Sequence, residues 1–150
     1  MLELRPREVG VITCVADPTA VDAIGDVAKA TVCRVAPDEV MLLCAPDGAP
    51  EIARVTAERA TAADPDAIVL DAGDGWAAWT LRGDDLDEAF GRLSAVPLAP
   101  GFSQGDVAHV PAKILRSEAA IDLLVPAMWG AYLRERIVAR CPGVVERSDA

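Results

Sequence analysis

Residues 67–98 read AIVLDAGDGWAAWTLRGDDLDEAFGRLSAVPL, and they contain the order of elements that decides the fold. An apolar strand ending near Asp71 leads through Gly-Asp-Gly into a second strand that begins at Trp76. A turn at Gly83 follows, and residues 84–94 have the apolar spacing of a short, acid-rich helix. This succession of strand, turn, strand and helix is typical of an α+β domain.

The residues before this stretch, together with its first strand, predict the order β-α-β-β-α-β. Strands are expected at 9–15, 30–35, 40–44 and 67–70, and helices from Asp17-Pro18 through Ala28 and over 50–60. The Pro-Asp turn between the second and third strands predicts an antiparallel hairpin. This order is the ferredoxin-like arrangement, in which both helices cover one face of a single sheet.

The residues after Gly75 predict a second, similar pass. We expect a strand at 76–81, a helix at 84–94, a hairpin of 107–115 with 120–125, a terminal helix over 127–140, and a loop at 98–106. The predicted fold is therefore α+β, with two interlocked ferredoxin-like β-α-β-β-α units. A chain of 150 residues fits one compact domain spanning residues 1–150.

The charge of the chain limits its partners. The formal net charge is −10, which disfavours binding to nucleic-acid phosphates or to anionic membrane surfaces. No apolar run reaches the ~18–20 residues that a membrane span needs. The first ten residues, MLELRPREVG, carry charges where a signal peptide has its apolar core. We therefore expect a cytoplasmic protein without nucleic-acid or membrane partners.

The four cysteines show no metal or redox pattern. Cys14, Cys33 and Cys44 lie within apolar strand-like runs, and no CxxC pair occurs. We interpret these three as small buried apolar residues. Cys141 precedes Pro-Gly at a predicted helix end, which leaves its exposure open.

Eight carboxylates and a single base, Arg82, lie between residues 64 and 88. We place four of the acids, at positions 84, 85, 87 and 88, in the first turn of a helix, where carboxylates accept from free amides and meet the positive end of the dipole. Asp71 and Asp74 flank a glycine turn and have two interpretations. They form a turn stabilised by side-chain hydrogen bonds, or a general acid and base in a pocket.

His109 and Lys113 are the remaining candidates for chemistry. His109 is the only histidine, and no serine or cysteine motif accompanies it, so we expect a surface position. Lys113 would be a carbonyl-reactive amine only if it were desolvated. Because phosphate-loop, dinucleotide, nucleophile-elbow and zinc motifs are also missing, we assign no catalytic, cofactor-binding or metal-binding residue.

The last predicted helix has two interpretations. Trp129, Leu133 and Ile137 recur every four residues, which first indicates a face packed in the core. Because tryptophan and tyrosine are enriched at protein interfaces, part of this stripe could also meet a partner subunit.

Four segments in series resemble the gamma subunit of heterotetrameric sarcosine oxidase, in the folate-binding aminomethyltransferase-like superfamily. They are CRVAPDEVMLLCAP (33–46), LDAGDGWAAWTLRGDDLDEAFGRLSAVPL (70–98), FSQGDVAHVPAKIL (102–115) and DLLVPAMWGAYLRERI (122–137). The resemblance implies an aminomethyltransferase-like fold. It also implies a subunit without an active site of its own, within a heteromeric complex that oxidises sarcosine or related N-methyl amines.

The resemblance further implies which partners and cofactors belong to the complex. Large and beta flavoprotein subunits would be the partners, and FAD, FMN, NAD and tetrahydrofolate would be held by chains other than this one. Departures from the family pattern at Met41 and at Ala108-His109 keep a second hypothesis open. In it the chain is a stand-alone small enzyme, or a binder of folate or another small molecule, including one in specialised metabolism.

Overall fold

A computed structural model describes residues 1–148 and has an α+β fold, as predicted. The chain forms two compact units, a small unit of residues 8–73 and a large unit that combines residues 1–7 with those after 73. In chain order the elements are β1 (Leu2–Arg7), β2 (Gly10–Val15), α1 (Pro18–Ile24), β3 (Thr31–Ala36), β4 (Glu39–Cys44), α2 (Ala49–Ala63), β5 (Ile68–Asp71), β6 (Trp76–Gly83), α3 (Leu86–Gly91), β7 (Gly101–Val107), β8 (Val110–Arg116), β9 (Ala120–Pro126), α4 (Gly130–Arg140) and β10 (Val145–Glu146).

The small unit has the predicted β-α-β-β-α-β order. Its four strands form an antiparallel sheet in the order β3-β4-β2-β5, and β3 and β4 pair as the expected hairpin. Alternate residues of the central strands, such as Ile12 and Leu42, are fully buried in one core cluster with apolar residues of α1 and α2. Strand alternation and helix periodicity thus supply the two sides of the same core.

Helix α1 is shorter than predicted. We expected it to continue through Ala28, but it ends at Ile24 because Gly25 adopts φ +59°. The Arg59 side chain, from α2, then donates to the carbonyls of Ile24 and Asp26 at 2.7 and 2.6 Å. A cationic donor at the end of a helix satisfies carbonyls that have no partner within the helix.

The large unit is a six-stranded sheet in the order β10-β1-β6-β9-β8-β7, in which only the β1–β10 pair is parallel among the described residues. Its core joins inward residues of the sheet to α3 and α4, and Leu81, Ile114, Leu123, Leu133 and Ile137 are fully buried there. Strands β1 and β10 were not predicted. Strand β1 is largely polar and β10 has only two residues. Neither has an apolar pattern that would predict a strand, and both form by pairing with their neighbours in the sheet.

The predicted hairpin of residues 107–115 with 120–125 is present as β8–β9, although its first strand begins at Val110. The predicted loop 98–106 was wrong, because residues 101–107 form strand β7, which pairs with β8 from Gly101–Arg116 to Val107–Val110. Ala108 and His109 form a two-residue turn with φ +49° and +67°. Such turns usually carry Asn-Gly, because both residues need positive φ, so the sequence Ala-His gave no turn signal.

Helix α3 is also shorter than the predicted 84–94. Asp85 precedes it with φ +59° and ψ +31°, and the Asp85 side chain makes no capping hydrogen bond. Asp84 lies outside the helix, so only Asp87 and Glu88 occupy its first turn. The prediction that four acids begin this helix was therefore wrong for two of them. The apolar face was predicted correctly, since Leu86, Ala89, Phe90 and Leu93 are buried.

Candidate functional site

Asp71 and Asp74 lie in different units, and both are exposed. The Asp71 carboxylate accepts from the amide of Gly73 at 3.0 Å. This is the predicted turn-stabilising role, and neither Gly73 nor Gly75 has a positive φ. Residues 73–75 form a 3-10 turn instead. Asp71 therefore has a structural explanation in the turn.

His109 is exposed, as predicted, at the tip of the β7–β8 hairpin. Two hydrogen bonds hold the strained turn beneath it. The amide of Ala108 donates to the carbonyl of Leu93 at 2.7 Å, and the Tyr132 hydroxyl donates to the carbonyl of Ala108 at 3.3 Å. Tertiary contacts can impose positive φ on residues that disfavour it. His109 lines a surface cavity of about 380 Å³ together with Leu93, Ser94, Ala95, Val96 and Asp106.

Lys113 belongs to a different cavity, of about 270 Å³, which is also lined by Trp76, Gln104 and two prolines. Its ammonium donates to Gln104 Oε1 at 2.6 Å, and the side chain is half-buried. A lysine that keeps a polar partner is not the desolvated amine that carbonyl chemistry requires. The structure therefore places the two basic candidates, His109 and Lys113, at separate sites.

All four cysteines are buried, including Cys141. Burial raises the pKa of the Cys14, Cys44 and Cys141 thiols. Nearby Asp64 adds to the rise for Cys14, and Asp71 and Asp47 do so for Cys44, whereas Arg92 opposes it for Cys141. A raised pKa keeps a thiol protonated and poorly nucleophilic. These side chains act as packing residues.

Sequence reasoning missed a polar cluster that joins three strands of the large unit. Asp122 of β9 accepts from Arg7 Nη1 of β1 and from Thr80 Oγ1 of β6, each at 2.5 Å. The signal was present, since Asp122 is the one charged residue within β9. Half-buried and hydrogen-bonded across three strands, the cluster stabilises the sheet. Within residues 1–148, no group of three side chains is arranged to hold a metal ion.

An exposed apolar and aromatic patch of the large unit lies in the 3-10 turn before α4 and at the start of that helix. Leu133 and Ile137 are fully buried, which confirms the predicted core face, but Met128 and Trp129 are 81% and 42% exposed. The Trp129 ring contacts Tyr132 edge-to-face, with ring centroids 5.7 Å apart. Arg136 and Arg140 continue the row of Tyr132 at four-residue intervals. We call Met128, Trp129, Tyr132, Arg136 and Arg140 the α4 stripe.

No protein-family model matches the sequence, and comparison with curated proteins finds no relative. Solved structures do share the fold. A chain of heterotetrameric sarcosine oxidase from Corynebacterium sp. U-96, solved with pyrrole 2-carboxylate, aligns with a TM-score of 0.77 at 17% identity. The alignment covers 93% of this chain and 83% of that chain.

Two other solved structures extend the likeness. The glycine cleavage system aminomethyltransferase T from Bartonella henselae aligns over 97% of this chain with a TM-score of 0.69 and 14% identity, and this chain covers 47% of that protein. The regulatory subunit of aspartate kinase from Thermus thermophilus reaches a TM-score of 0.54 at 13% identity, with 94% of this chain and 96% of that chain covered. Likeness at these identities shows a shared fold.

No helix within residues 1–148 is both long and apolar enough to cross a membrane.

Proposed function

We propose that this chain is a non-catalytic, gamma-like subunit of a heteromeric, flavin-dependent oxidase of sarcosine or related N-methyl amines. The observation that carries the proposal is the likeness to a chain of heterotetrameric sarcosine oxidase, which covers 93% of this chain and 83% of that chain. On the same likeness we propose an aminomethyltransferase-like arrangement of two interlocked ferredoxin-like units in a single domain, and a cytoplasmic location.

The positions of the candidate groups support a role in assembly. His109 and Lys113 line different cavities, Asp71 is engaged in a turn, and the thiols are buried. Nucleophilic and general acid–base catalysis need groups within hydrogen-bond reach of one another. The α4 stripe has instead the composition of an interface, with tryptophan, tyrosine, methionine and arginine.

The proposal extends to partners and cofactors. The partners would be large and beta flavoprotein subunits, and these would hold FAD, FMN, NAD and tetrahydrofolate. The described part of this chain has no glycine-rich turn followed by a helix N-terminus, which is the usual cradle for the phosphates of a dinucleotide. Gly73–Gly75, for example, lead directly into strand β6.

The test is co-expression with candidate flavoprotein subunits, such as those encoded beside this chain, followed by affinity purification and size-exclusion chromatography with light scattering. We expect a stoichiometric complex in which the flavin remains with the partner chains. A chain that fails to co-purify with each candidate and sediments as a stable monomer would overturn the proposal.

The second candidate function is a small-molecule binder or small enzyme on the same scaffold. The cavity of about 270 Å³ favours it, since Trp76 and Lys113 there offer an aromatic face and a cation to one ligand. The test is titration of the isolated chain with tetrahydrofolate and with sarcosine, monitored by tryptophan fluorescence, with K113A as the comparison variant. Saturable binding that K113A weakens would favour this function, and a flat titration would exclude both ligands.

A further inference from the structure

Two arginines of the α4 stripe have no partner within residues 1–148. Arg136 Nε is buried and meets no hydrogen-bond acceptor there, and Arg140 is exposed without an ion pair. Arg134, two residues before Arg136, differs because its guanidinium binds Glu146 at 2.5 Å. Because this chain encloses Arg136 Nε, a partner can reach only the rest of the half-buried Arg136 side chain and the exposed guanidinium of Arg140.

The apolar part of the stripe lies N-terminal to these arginines, with Tyr132 between them in the chain. Met128 is 81% exposed, which is unusual for a large apolar side chain, and Trp129 is held in place by its contact with Tyr132. Tyr132 is fixed in turn, because its hydroxyl donates to the carbonyl of Ala108. An aromatic residue that is already ordered loses little side-chain entropy when a partner covers it.

We propose that the α4 stripe docks an acidic segment of a partner subunit, with a carboxylate on Arg136 or Arg140 and an apolar residue against Met128 and Trp129. This inference rests on the proposed function, which supplies the partner. Charge complementarity selects the occupant. Two arginines without carboxylates attract acid, whereas a second copy docked stripe to stripe would bring the same arginines together.

The overall charge also argues against a second copy of this chain as the occupant of the α4 stripe. The chain has a net charge of −10, so two copies repel each other at long range. Contact between the stripe of one copy and the acidic start of α3 in another would be heterologous, and heterologous contacts generate rings or open filaments rather than closed dimers. A hetero-partner that is neutral or basic overall and carries a local acidic segment avoids both the long-range repulsion and the open assembly.

The experiment measures the dissociation constant of the full chain for the co-expressed flavoprotein subunits, using three variants. R140E reverses an exposed charge of the stripe, and M128E places a charge on its apolar part. R82E is the matched control, since Arg82 is exposed, lies in the same unit and has no partner within residues 1–148. Circular dichroism and the urea midpoint of each variant verify that the fold is intact.

We expect R140E and M128E each to weaken the complex at least about tenfold, with R82E within about twofold of the unmodified chain. If the complex forms but R140E and M128E bind as R82E does, the docking site is wrong and the proposed function stands. If no candidate subunit binds the unmodified chain, the proposed function and the inference both fall. If sedimentation shows a dimer of this chain that R140E dissociates, the occupant is a second copy and the inference is overturned.

Discussion

Replacement of Gly130 by alanine tests how α4 packs on the sheet of the large unit. Gly130 is buried with φ −59° and ψ −49°, so alanine fits the backbone without strain. The added Cβ would lie 2.6 Å from the Cβ of Ala77 in β6, whereas ordinary contacts begin at 3.4 Å. Neither methyl group can rotate away, so the helix must move outward. That movement also stretches the 3.0 Å hydrogen bond from Trp79 Nε1 to the carbonyl of Gly130.

The magnitude follows from two opposing effects. Overpacking a well-filled core costs about 1–3 kcal/mol. Alanine is favoured over glycine within a helix by at most ~1 kcal/mol, and by less at the first position. We therefore expect G130A to lower the free energy of unfolding by about 1 kcal/mol, which corresponds to a fall in melting temperature of roughly 2–4 °C.

The assay is urea unfolding of four proteins, the unmodified chain, G130A, A77G and the double variant, monitored by tryptophan fluorescence. Because A77G removes the methyl group that G130A meets, we expect the two changes to be non-additive by about 1–2 kcal/mol. G91A is the control, since nothing lies within 4 Å of its added Cβ, and it should raise stability by ~0.5–1 kcal/mol. Additive effects, or a G130A variant as stable as G91A, would refute the packing argument.

Three further predictions concern stability. L133A removes a fully buried side chain of α4 and should cost about 2–5 kcal/mol by urea unfolding, whereas V138A, 41% exposed, should change stability by less than ~0.5 kcal/mol. R59M leaves the carbonyl of Ile24 without its cationic donor and should cost about 1.5–3 kcal/mol in the same assay, with faster amide exchange at the end of α1. Burial raises the pKa of the Cys141 thiol above its ordinary value of 9.0, so its contribution to stability is complete below pH 9 and is lost as pH rises further. The fall in stability between pH 8 and 10 should therefore be smaller in C141A, and identical slopes in the two proteins would contradict this assignment.

Local chemistry made part of the fold predictable from the sequence. The β3–β4 hairpin was found because a Pro-Asp turn separates two apolar runs, and helix α2 because a proline marks its first turn. Strand β7 was not found, because its sequence, GFSQGDV, is held in the sheet by pairing with β8. The Ala108-His109 turn was also missed because tertiary contacts, and not its own sequence, stabilise it. Its positive φ values depend on hydrogen bonds to residues that are distant in the sequence.

The sequence predicted which residues of α4 are buried and which could form an interface, but it did not predict which of its charged side chains are paired. Periodicity identified Leu133 and Ile137 as core residues and allowed an interface at Trp129. Which arginine of α4 has a partner depends on Glu146, which reaches Arg134 through the unpredicted strand β10. The unpaired state of Arg136 is therefore a property of tertiary structure, and no spacing rule in the sequence encodes it.

The effect of salt on binding affinity distinguishes a partner's acidic segment from a second copy of this chain as the occupant of the α4 stripe. Docking of an acidic segment on Arg136 and Arg140 is a local attraction, so added salt screens it and weakens the complex. Self-association of a chain with net charge −10 is opposed by repulsion between whole molecules, so the same salt strengthens it. Between about 0.05 and 0.5 M salt, where the Debye length shortens to a few ångströms, the affinity for the flavoprotein subunits should fall. R140E should make that fall shallower, because it removes one of the attracting charges, and an affinity that rises with salt would contradict acidic docking.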